Sequence, residues 1–322
     1  MRRSYFRIIL FLLLVLVLIF IFRYRLPSGN KNTSFAVDNQ TDITRIEFSD
    51  KQNDLVLEKK ENGWFVNGEY ETRKSSISFI LRVLGEMKVK SPVSPEKVKD
   101  DIIEKEITPV KVRIYGKSRL LKSFLVYKTP SNSYGNIVKL SERAKPFIVS
   151  VPGYEINIGA AFVLNDLYWR PFTLFNLLPS EIASVRFENL SDTTASFSVS
   201  AKNSHYSFSD LKSELSGYDS LLVKRYLTYF TWIPFETWAF DLAQEEKMSI
   251  ESRSPLYNIT VTDRTGKTTV LTLWGKELTE NGDKVPDGDR LWGKTAGNDE
   301  FFIMRYFDID PILKKRSYFF PE

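Results

Sequence analysis

Two stretches of the chain, KVRIYGKSRLLKSFLVY at residues 111–127 and NITVTDRTGKTTVLTLW at residues 258–274, decide the fold. In each stretch, two runs that alternate apolar and polar residues flank a polar turn containing glycine, which is typical of an antiparallel β-hairpin. The two stretches align without a gap at an offset of 147 residues. The aligned residues are Val112, Ile114, Phe124, Val126 and Tyr127 in the first stretch and Ile259, Val261, Leu271, Leu273 and Trp274 in the second.

Further matches on the N-terminal side of both hairpins indicate that a longer unit is repeated. An offset of 139 residues aligns Ile43, Ile46 and Phe48 with Ile182, Val185 and Phe187, and an offset of 145 residues aligns Ile77, Leu81 and Leu84 with Leu222, Tyr226 and Tyr229. Because the elements follow the same order in both halves, the matches favour an internal duplication. The alternative is a chance match between two strand-rich stretches.

Each predicted unit has strands before and after one helix. The helices are predicted at Ser75–Met87, with Ser75 or Ser76 as the N-cap, and at Asp219–Tyr229. The strands of the first unit are predicted at Thr44–Phe48, Leu55–Lys59, Trp64–Val66, Lys111–Tyr115, Ser123–Tyr127, Ile137–Leu140 and Phe147–Val151. Those of the second unit are predicted at Ser184–Glu188, Ser196–Ser200, Tyr206–Phe208, Asn258–Thr262, Thr269–Trp274, Leu291–Lys294 and Phe301–Tyr306.

These elements predict an α+β protein. An N-terminal transmembrane helix is followed by two tandem, internally duplicated units, each a mainly antiparallel sheet with a helix on one face. The predicted domains are an anchor and stalk at residues 1–34, a first repeat at 35–153, a connector at 154–180 and a second repeat at 181–322.

The N-terminal segment has the composition of a membrane anchor. Ile8 to Phe22 is an unbroken apolar run between Arg7 and Arg23, and residues 5–24 are predicted to contact the lipid bilayer. A cleaved signal peptide is the alternative, which the absence of a small-residue cleavage site after the run disfavours. Arg2, Arg3, Arg7 and the amino terminus lie before the run, against Arg23, Arg25 and Lys31 after it. This slight excess of positive charge before the run predicts a single-pass protein of the bacterial inner membrane, with a cytoplasmic N-terminus and a periplasmic C-terminal domain.

The charge and composition exclude several classes of function. The net charge of +5 comes from residues 1–31, which hold six of the 45 basic residues and none of the 40 acidic ones. The rest of the chain is therefore close to neutral, which argues against a nucleic-acid partner. The absence of Cys excludes a disulfide framework and a thiolate zinc site, and one histidine, His205, cannot supply a His-based metal cluster.

Three motifs resemble nucleotide-binding, calcium-binding or catalytic sites, but the sequence around each one does not fit that function. Gly288–Thr295 matches the phosphate-loop pattern G-x-x-x-x-G-K-T, but a strand rather than a helix is predicted there. Asp283, Asp287 and Asp289 lack the spacing of an EF-hand and are predicted to lie in a hairpin loop. The carboxylates around Asp101 and Glu245 are interleaved with Lys, which is typical of solvated surfaces. No catalytic residue, metal ligand or cofactor is therefore predicted.

Four short stretches, read in order, carry a resemblance to a known family. They are Trp64–Gly68 (WFVNG), Val89–Val93 (VKSPV), Val151–Tyr154 (VPGY) and Tyr168–Pro171 (YWRP) ahead of Leu174. From about Phe35 onward the chain resembles a Bacteroidota-type family of membrane-anchored proteins with a domain of unknown function, which also occurs in proteins associated with gliding motility and ABC transporters. The resemblance implies an anchored extracytoplasmic domain and no established reaction.

The predicted partner-binding residues are Trp169, Arg170 and Trp238. Trp and Arg are favoured at the centres of protein interfaces. The alternative is that the connector packs between the two repeats, with Trp169 buried and Arg170 bridging them, and that Trp238 packs in the core. Together with the resemblance they predict a non-enzymatic, single-pass membrane protein that binds or scaffolds an envelope protein complex, associated with an ABC transporter or with gliding. The alternatives are a periplasmic module that binds a glycan or lipid and, less favoured, an envelope hydrolase with paired carboxylates.

Overall fold

A computed structural model of the chain describes residues 34–117, 119–129, 137–153, 158–202, 205–280 and 282–321, with Ala160 and Lys202 described by their backbone alone. The described chain is α+β, with mostly antiparallel sheets and few helices. It forms two compact units that meet in sequence between Arg170 and Pro171. The predicted connector is thus divided between the two units, and the other predicted domain bounds stay predictions.

The first unit is built on a nine-stranded sheet with the order β4-β3-β2-β1-β6-β7-β8-β9-β5. Its strands are β1 (Arg45–Ser49), β2 (Asp54–Lys60), β3 (Gly63–Val66), β4 (Tyr70–Glu71), β5 (Lys88–Pro92), β6 (Val110–Gly116), β7 (Arg119–Tyr127), β8 (Ile137–Lys139) and β9 (Phe147–Ser150). Its helices are α1 (Lys74–Glu86) and α2 (Pro95–Val98), which continues into a π-helical turn (Lys99–Ile103), and its 3-10 turns are Gln40–Asp42, Ile158–Ala161 and Asp166–Tyr168.

The main core of the first unit lies between the sheet and α1. Alternation along β1 places Ile46 and Phe48 on this face, and the apolar side of α1, including Ile80 and Leu84, packs against them. The helix begins at Lys74, so the predicted cap at Ser75 or Ser76 is wrong. Ser76 lies inside the helix, where its hydroxyl accepts a hydrogen bond from the guanidinium of Arg73.

A second helical segment covers the opposite face of the same sheet. Ile102, which follows α2, packs with Leu125, Tyr127 and Ile137. These side chains of β7 alternate with Phe124 and Val126, which belong to the main core. The first unit therefore has the predicted helix on one face, and in addition a short helical segment on the other face, which was not predicted.

The second unit contains an eight-stranded sheet with the order β13-β12-β11-β16-β17-β18-β19-β15 and a two-stranded sheet of β10 and β14. Its strands are β10 (Thr173–Phe175), β11 (Ile182–Asn189), β12 (Phe197–Lys202), β13 (His205–Ser209), β14 (Ile233–Pro234), β15 (Thr237–Trp238), β16 (Tyr257–Asp263), β17 (Thr268–Glu280), β18 (Asp283–Thr295) and β19 (Phe302–Arg305). Its helices are α3 (Ser220–Thr228), α4 (Gln244–Glu251) and α5 (Tyr306–Ile309), and its 3-10 turns are Pro179–Glu181, Thr193–Ala195, Tyr229–Thr231, Asp310–Ile312 and Arg316–Phe319.

Aromatic rings fill the main core of the second unit. Phe197 and Phe208 of neighbouring strands stack on each other, and Tyr226 of α3 and Phe319 near the C-terminus contact Phe197 edge-on. Asp219 caps α3 by accepting the backbone N–H groups of the next turn. On the opposite face of the sheet, Ile250 of α4 clusters with other buried apolar residues, so helices again lie on both faces.

The two main sheets share a strand order once the two-residue strand β4 is left aside. The order β3-β2-β1-β6-β7-β8-β9-β5 corresponds strand by strand to β13-β12-β11-β16-β17-β18-β19-β15. The registers correspond as well, because Phe48 pairs with Val112 in the first sheet as Phe187 pairs with Ile259 in the second. These are the residues that the offsets of 139 and 147 align.

The predicted membrane span can be compared only with the helices of the residues that the structure describes. None of their helices is both long enough and apolar enough to cross a membrane. The predicted anchor at residues 5–24, with the stalk that follows, lies outside the described residues. We therefore correct the predicted localisation, and the assignment to the inner membrane as a single-pass protein is not retained.

Candidate functional site

Trp169 belongs to the core of the first unit. Its side chain is 0% exposed, stacks on Phe48 at 5.7 Å between ring centroids and donates its indole N–H to the carbonyl of Val163 at 2.9 Å. Phe162 contacts the same Phe48 ring edge-on. The segment after β9 therefore closes the core beneath the sheet, and the Trp169 ring presents no surface to a partner.

Arg170 is held by its own unit. Its guanidinium pairs with the carboxylate of Asp166 and lies 3.6 Å from the ring centroid of Tyr70. A cation over an aromatic face and beside a carboxylate has its charge largely satisfied. Both of these partners belong to the first unit, so the contacts give Arg170 a structural role within that unit.

Trp238 lies on the short edge strand β15, where it is 8% exposed. Its ring meets Phe235 at 4.9 Å and Phe302 at 5.9 Å between centroids, both edge-on. Residues 230–240 hold five Phe and Trp residues, of which Trp232 is the most exposed, with 61% of its surface accessible. Trp232 follows the 3-10 turn that continues α3.

The exposed side of α3 is basic and partly apolar. Val223, Tyr226 and Leu227 face the core, so Leu221, Lys224 and Arg225 point outward. Leu221 is 72% exposed. The helix sequence SLLVKRYLT contains no acidic residue. The outer side of α3 therefore combines an apolar side chain with two positive charges.

Beside α3 lies a groove of about 790 Å³, which we call the cationic groove. Its lining residues come from four segments of the second unit: the turn before β11, the pair β12–β13, helix α3 and the turn between β16 and β17. They are Leu178, Pro179, Ser180, Ala201, Tyr206, Lys224 and Arg264. The walls are thus mainly apolar, with two cations and no acidic residue among the described residues that line it.

Hydrogen bonds fix the rim of the cationic groove. The carboxylate of Glu181 accepts the backbone N–H of Leu178 at 2.7 Å, which holds the Pro179–Glu181 turn. Arg264 donates its backbone N–H to the carbonyl of Glu181 at 2.8 Å and its Nε–H to the carbonyl of Ser180 at 2.6 Å. The outer nitrogens of the guanidinium stay available for a ligand.

Neither cation of the groove is neutralised within the described part of the chain. No described carboxylate lies within ion-pair distance of Lys224 or Arg264, both of which are exposed, whereas several half-buried cations elsewhere in the second unit are paired. The guanidinium and the ammonium attract a carboxylate. The apolar walls beside them stabilise a ligand that also buries an apolar group.

The residues of the phosphate-loop and calcium-loop motifs lie in strand β18 of the sheet. Gly288–Thr295 lies within β18, and Lys294 pairs with Glu251 of α4. Asp287 accepts the backbone N–H groups of Asp289 and Arg290 and lies 3.5 Å from the ammonium of Lys276. Over the described ranges, no group of three or more His, Asp or Glu side chains is placed to hold a metal ion.

Asp101, at the centre of the first carboxylate cluster, is also structural. It is buried at the π-helical turn and pairs with Lys105 at 3.2 Å and with Lys97 at 3.9 Å. The clusters predicted to be solvated surfaces thus mark the second helical segments of the two units. Each of these helical segments buries one apolar residue, Ile102 or Ile250, within a polar run. That single apolar residue is the only sequence signal that could have indicated a helix there.

Fold and site together define an α+β protein with two β-rich units and a basic, partly apolar groove in the second. No family model matches the chain, and no curated protein matches it either. The resemblance to membrane-anchored proteins associated with gliding motility and ABC transporters therefore stays a prediction.

Proposed function

We propose that this chain is a non-catalytic protein-binding module whose second unit binds an acidic, apolar segment of a partner through the cationic groove. The observation that carries the proposal is the pair of unneutralised cations, Lys224 and Arg264, on an otherwise uncharged and mainly apolar groove. The exposed Leu221 on the neighbouring helix extends the apolar surface.

The physical reason is that the two kinds of surface favour one type of ligand. A carboxylate between Lys224 and Arg264 gains charge-assisted hydrogen bonds, which contribute roughly 1.5–3 kcal/mol each when they are shielded from water. Apolar side chains of the same segment remove Leu178 and Tyr206 from water, at about 25 cal/mol per Å² of buried apolar surface. A segment without a carboxylate would leave the two cations without an ion pair, and a segment without apolar side chains would leave the apolar walls in contact with water.

We further propose that the two units arose by duplication of one α+β unit. The shared strand order and the shared register of β1, β6 and β7 with β11, β16 and β17 support this proposal. Second helical segments after β5 and after β15, both on the same side of their sheets, support it independently.

The partner proposal is tested by fluorescence anisotropy with a labelled peptide of alternating aspartate and leucine, compared with one of alternating lysine and leucine. We expect the acidic peptide alone to bind, and Lys224→Glu to weaken its binding about tenfold or more, since tenfold corresponds to about 1.4 kcal/mol. Lys51→Glu is the matched control, because it makes the same charge change at an exposed loop of the first unit.

Lys224→Arg restores the positive charge and should retain most of the affinity. Binding should also weaken as salt rises, since exposed charges are screened within about 8 Å at physiological ionic strength. Equal binding of the two peptides, or unchanged affinity in Lys224→Glu, would contradict the proposal.

A further inference from the structure

A second concave site lies on the other side of the eight-stranded sheet, between α4 and the β17–β18 hairpin. This hairpin is longer than its neighbours: β16 pairs with β17 only as far as Leu273, and β19 pairs with β18 only as far as Arg290. Beyond these residues β17 and β18 pair only with each other, out to Glu280 and Asp283. The space between the free part of the hairpin and α4 is a cleft of about 210 Å³, which we call the hairpin cleft.

Trp292 gives the hairpin cleft a rigid aromatic wall. It lies directly across the ladder from Trp274 and packs against the cluster that contains Ile250 and Phe301. The ammonium of Lys276 lies 5.3 Å from its ring centroid. The indole N–H reaches no hydrogen-bond acceptor among the residues that the structure describes, so it stays free to donate to a ligand.

Polar groups of both charges surround this ring. Arg253 and Glu277 approach each other to 3.4 Å, with each side chain about 40% exposed (38% and 43%). Glu246 is held at the start of α4 by the backbone N–H of Ala243 at 3.0 Å. Lys284, Ser249 and Thr279 complete the polar lining. The cleft thus has two cations, two carboxylates and no net charge.

The balance of charge and the size of the cleft identify the class of ligand. An anion would face the two carboxylates and a cation the two positive groups, whereas a wholly apolar molecule would displace water from these charged groups without replacing its hydrogen bonds. A neutral molecule with several hydroxyl groups satisfies donors and acceptors at once, since a hydroxyl both donates and accepts. The volume of about 210 Å³ is below the usual range for drug-sized ligands and fits a single ring.

We infer that the hairpin cleft binds one neutral pyranose ring of a saccharide. The C–H face of the sugar stacks on the indole of Trp292, and adjacent ring hydroxyls bridge Arg253 and Glu277. This site is separate from the cationic groove in residues and in chemistry, so the inference stands or falls independently of the proposed protein partner.

The test uses methyl glycosides of glucose, mannose, galactose and N-acetylglucosamine as probes. The chain is labelled with 5-fluorotryptophan, and the ¹⁹F resonance of Trp292 is assigned from its loss in Trp292→Phe. We expect at least one probe to shift that resonance saturably, while the resonance of the exposed Trp232 does not move. Saturation-transfer NMR on the sugar gives the affinity without relying on the label.

Two variants keep the outcome interpretable. Trp292→Ala removes the stacking wall but touches the core, so its fold is checked by thermal unfolding. Glu277→Gln changes an exposed side chain and should weaken binding several-fold, because a charged hydrogen bond is replaced by a neutral one. Trp232→Ala is the control and should leave the affinity unchanged.

Three results would overturn the inference. The first is that no neutral probe shifts Trp292 at concentrations approaching 0.1 M, about the weakest binding that a single-ring site would show. The second is that binding persists unchanged in Glu277→Gln and in folded Trp292→Ala. The third is that glucuronate or glucosamine binds tenfold more tightly than every neutral sugar, which would show that the cleft selects charge.

Discussion

Gly293 shows how one missing side chain permits an aromatic packing arrangement. It pairs with Phe302 across β18 and β19, and the Phe302 ring, only 1% exposed, crosses the glycine. A Cβ atom at this position would lie 2.3 Å from one ring carbon and 2.7 Å from the next. Contacts this short require the ring or the strand to move, and a buried ring has no space into which it can turn.

We therefore predict that Gly293→Ala destabilises the protein by about 1–3 kcal/mol, the usual range for overpacking a filled core. The measurement is the free energy of unfolding from urea titration. Gly288→Ala is the matched control on the same strand, because its Cβ meets no atom within 4 Å, and it should change the free energy little. Equal effects of the two substitutions would rule out the steric explanation.

Tyr226 combines a buried ring with a buried hydroxyl group. The hydroxyl donates to the carbonyl of Ile312 at 3.0 Å, and burial raises the pKa of Tyr226 far above its ordinary value of 10.0. Because the folded state holds the proton, the unfolded chain ionises first as the pH rises. The stabilisation from this residue is therefore complete below about pH 10 and is lost progressively above it.

We predict that Tyr226→Phe lowers the free energy of unfolding by about 1–3 kcal/mol at pH 7, since the carbonyl of Ile312 is left buried without its donor. Between pH 9 and pH 11 the difference between wild type and variant should shrink by about 1.4 kcal/mol, because only the wild type loses stability through this ionisation. Urea titrations at both pH values measure the change. A gap that stays constant or widens would show that this phenol is not the group responsible.

At the scale of single residues, the sequence shows which rings occur but not which way they face. Trp232 and Trp238 lie in one aromatic stretch, yet one is exposed and the other buried. The difference arises because Trp238 is on a strand that pairs with β19, whereas Trp232 follows a 3-10 turn. A two-residue strand and a single 3-10 turn are too short to produce a periodic pattern of apolar residues, so the sequence does not show which of the two rings is buried.

At the scale of elements, patterns with several regularly spaced apolar residues predicted strands correctly, whereas a segment with a single apolar residue was not recognised as a helix. The hairpins β6–β7 and β16–β17 form where the alternating runs predict them. Helix α4 was not predicted, because Ile250 is its only buried residue and its polar face resembles a solvated loop. A helix that buries one side chain depends on the sheet beneath it rather than on its own periodicity.

The helices also show how a sequence alignment can be one residue out. The predicted offset of 145 residues aligns Ile77 with Leu222, which is only half-buried. The buried positions Ile77 and Ile80 of α1 instead correspond to Val223 and Tyr226 of α3, an offset of 146 residues. In a helix with several apolar residues in succession, a shift of one still aligns apolar with apolar, so the sequence alone cannot fix the register.

At the scale of the whole molecule, the α+β class was predictable but the candidate site was not. The alternating runs predicted strands, whereas the order of the strands within each sheet was not predicted. The cationic groove instead combines Leu178, Tyr206, Lys224 and Arg264, which are separated in sequence and share no motif. Only the folded sheet brings them together, so no spacing rule could have indicated them.

The closing segments of the two units lead to a prediction about their independence. In the first unit Trp169 returns to stack on Phe48, and in the second Phe319 returns to Phe197 and Phe208. Each core is thus completed by the last segment of its own unit.

We therefore predict that a fragment of residues 171–322 folds by itself, with a cooperative urea transition and near-ultraviolet circular dichroism from its packed aromatic rings. Its length is in the usual range of single domains, roughly 50–250 residues. In this fragment Phe319→Ala should lower the free energy of unfolding by about 3–5 kcal/mol, since it empties a fully buried aromatic site. Phe307→Ala is the control, because that ring is exposed on α5. A fragment without a cooperative transition would show that this unit folds only as part of the longer chain.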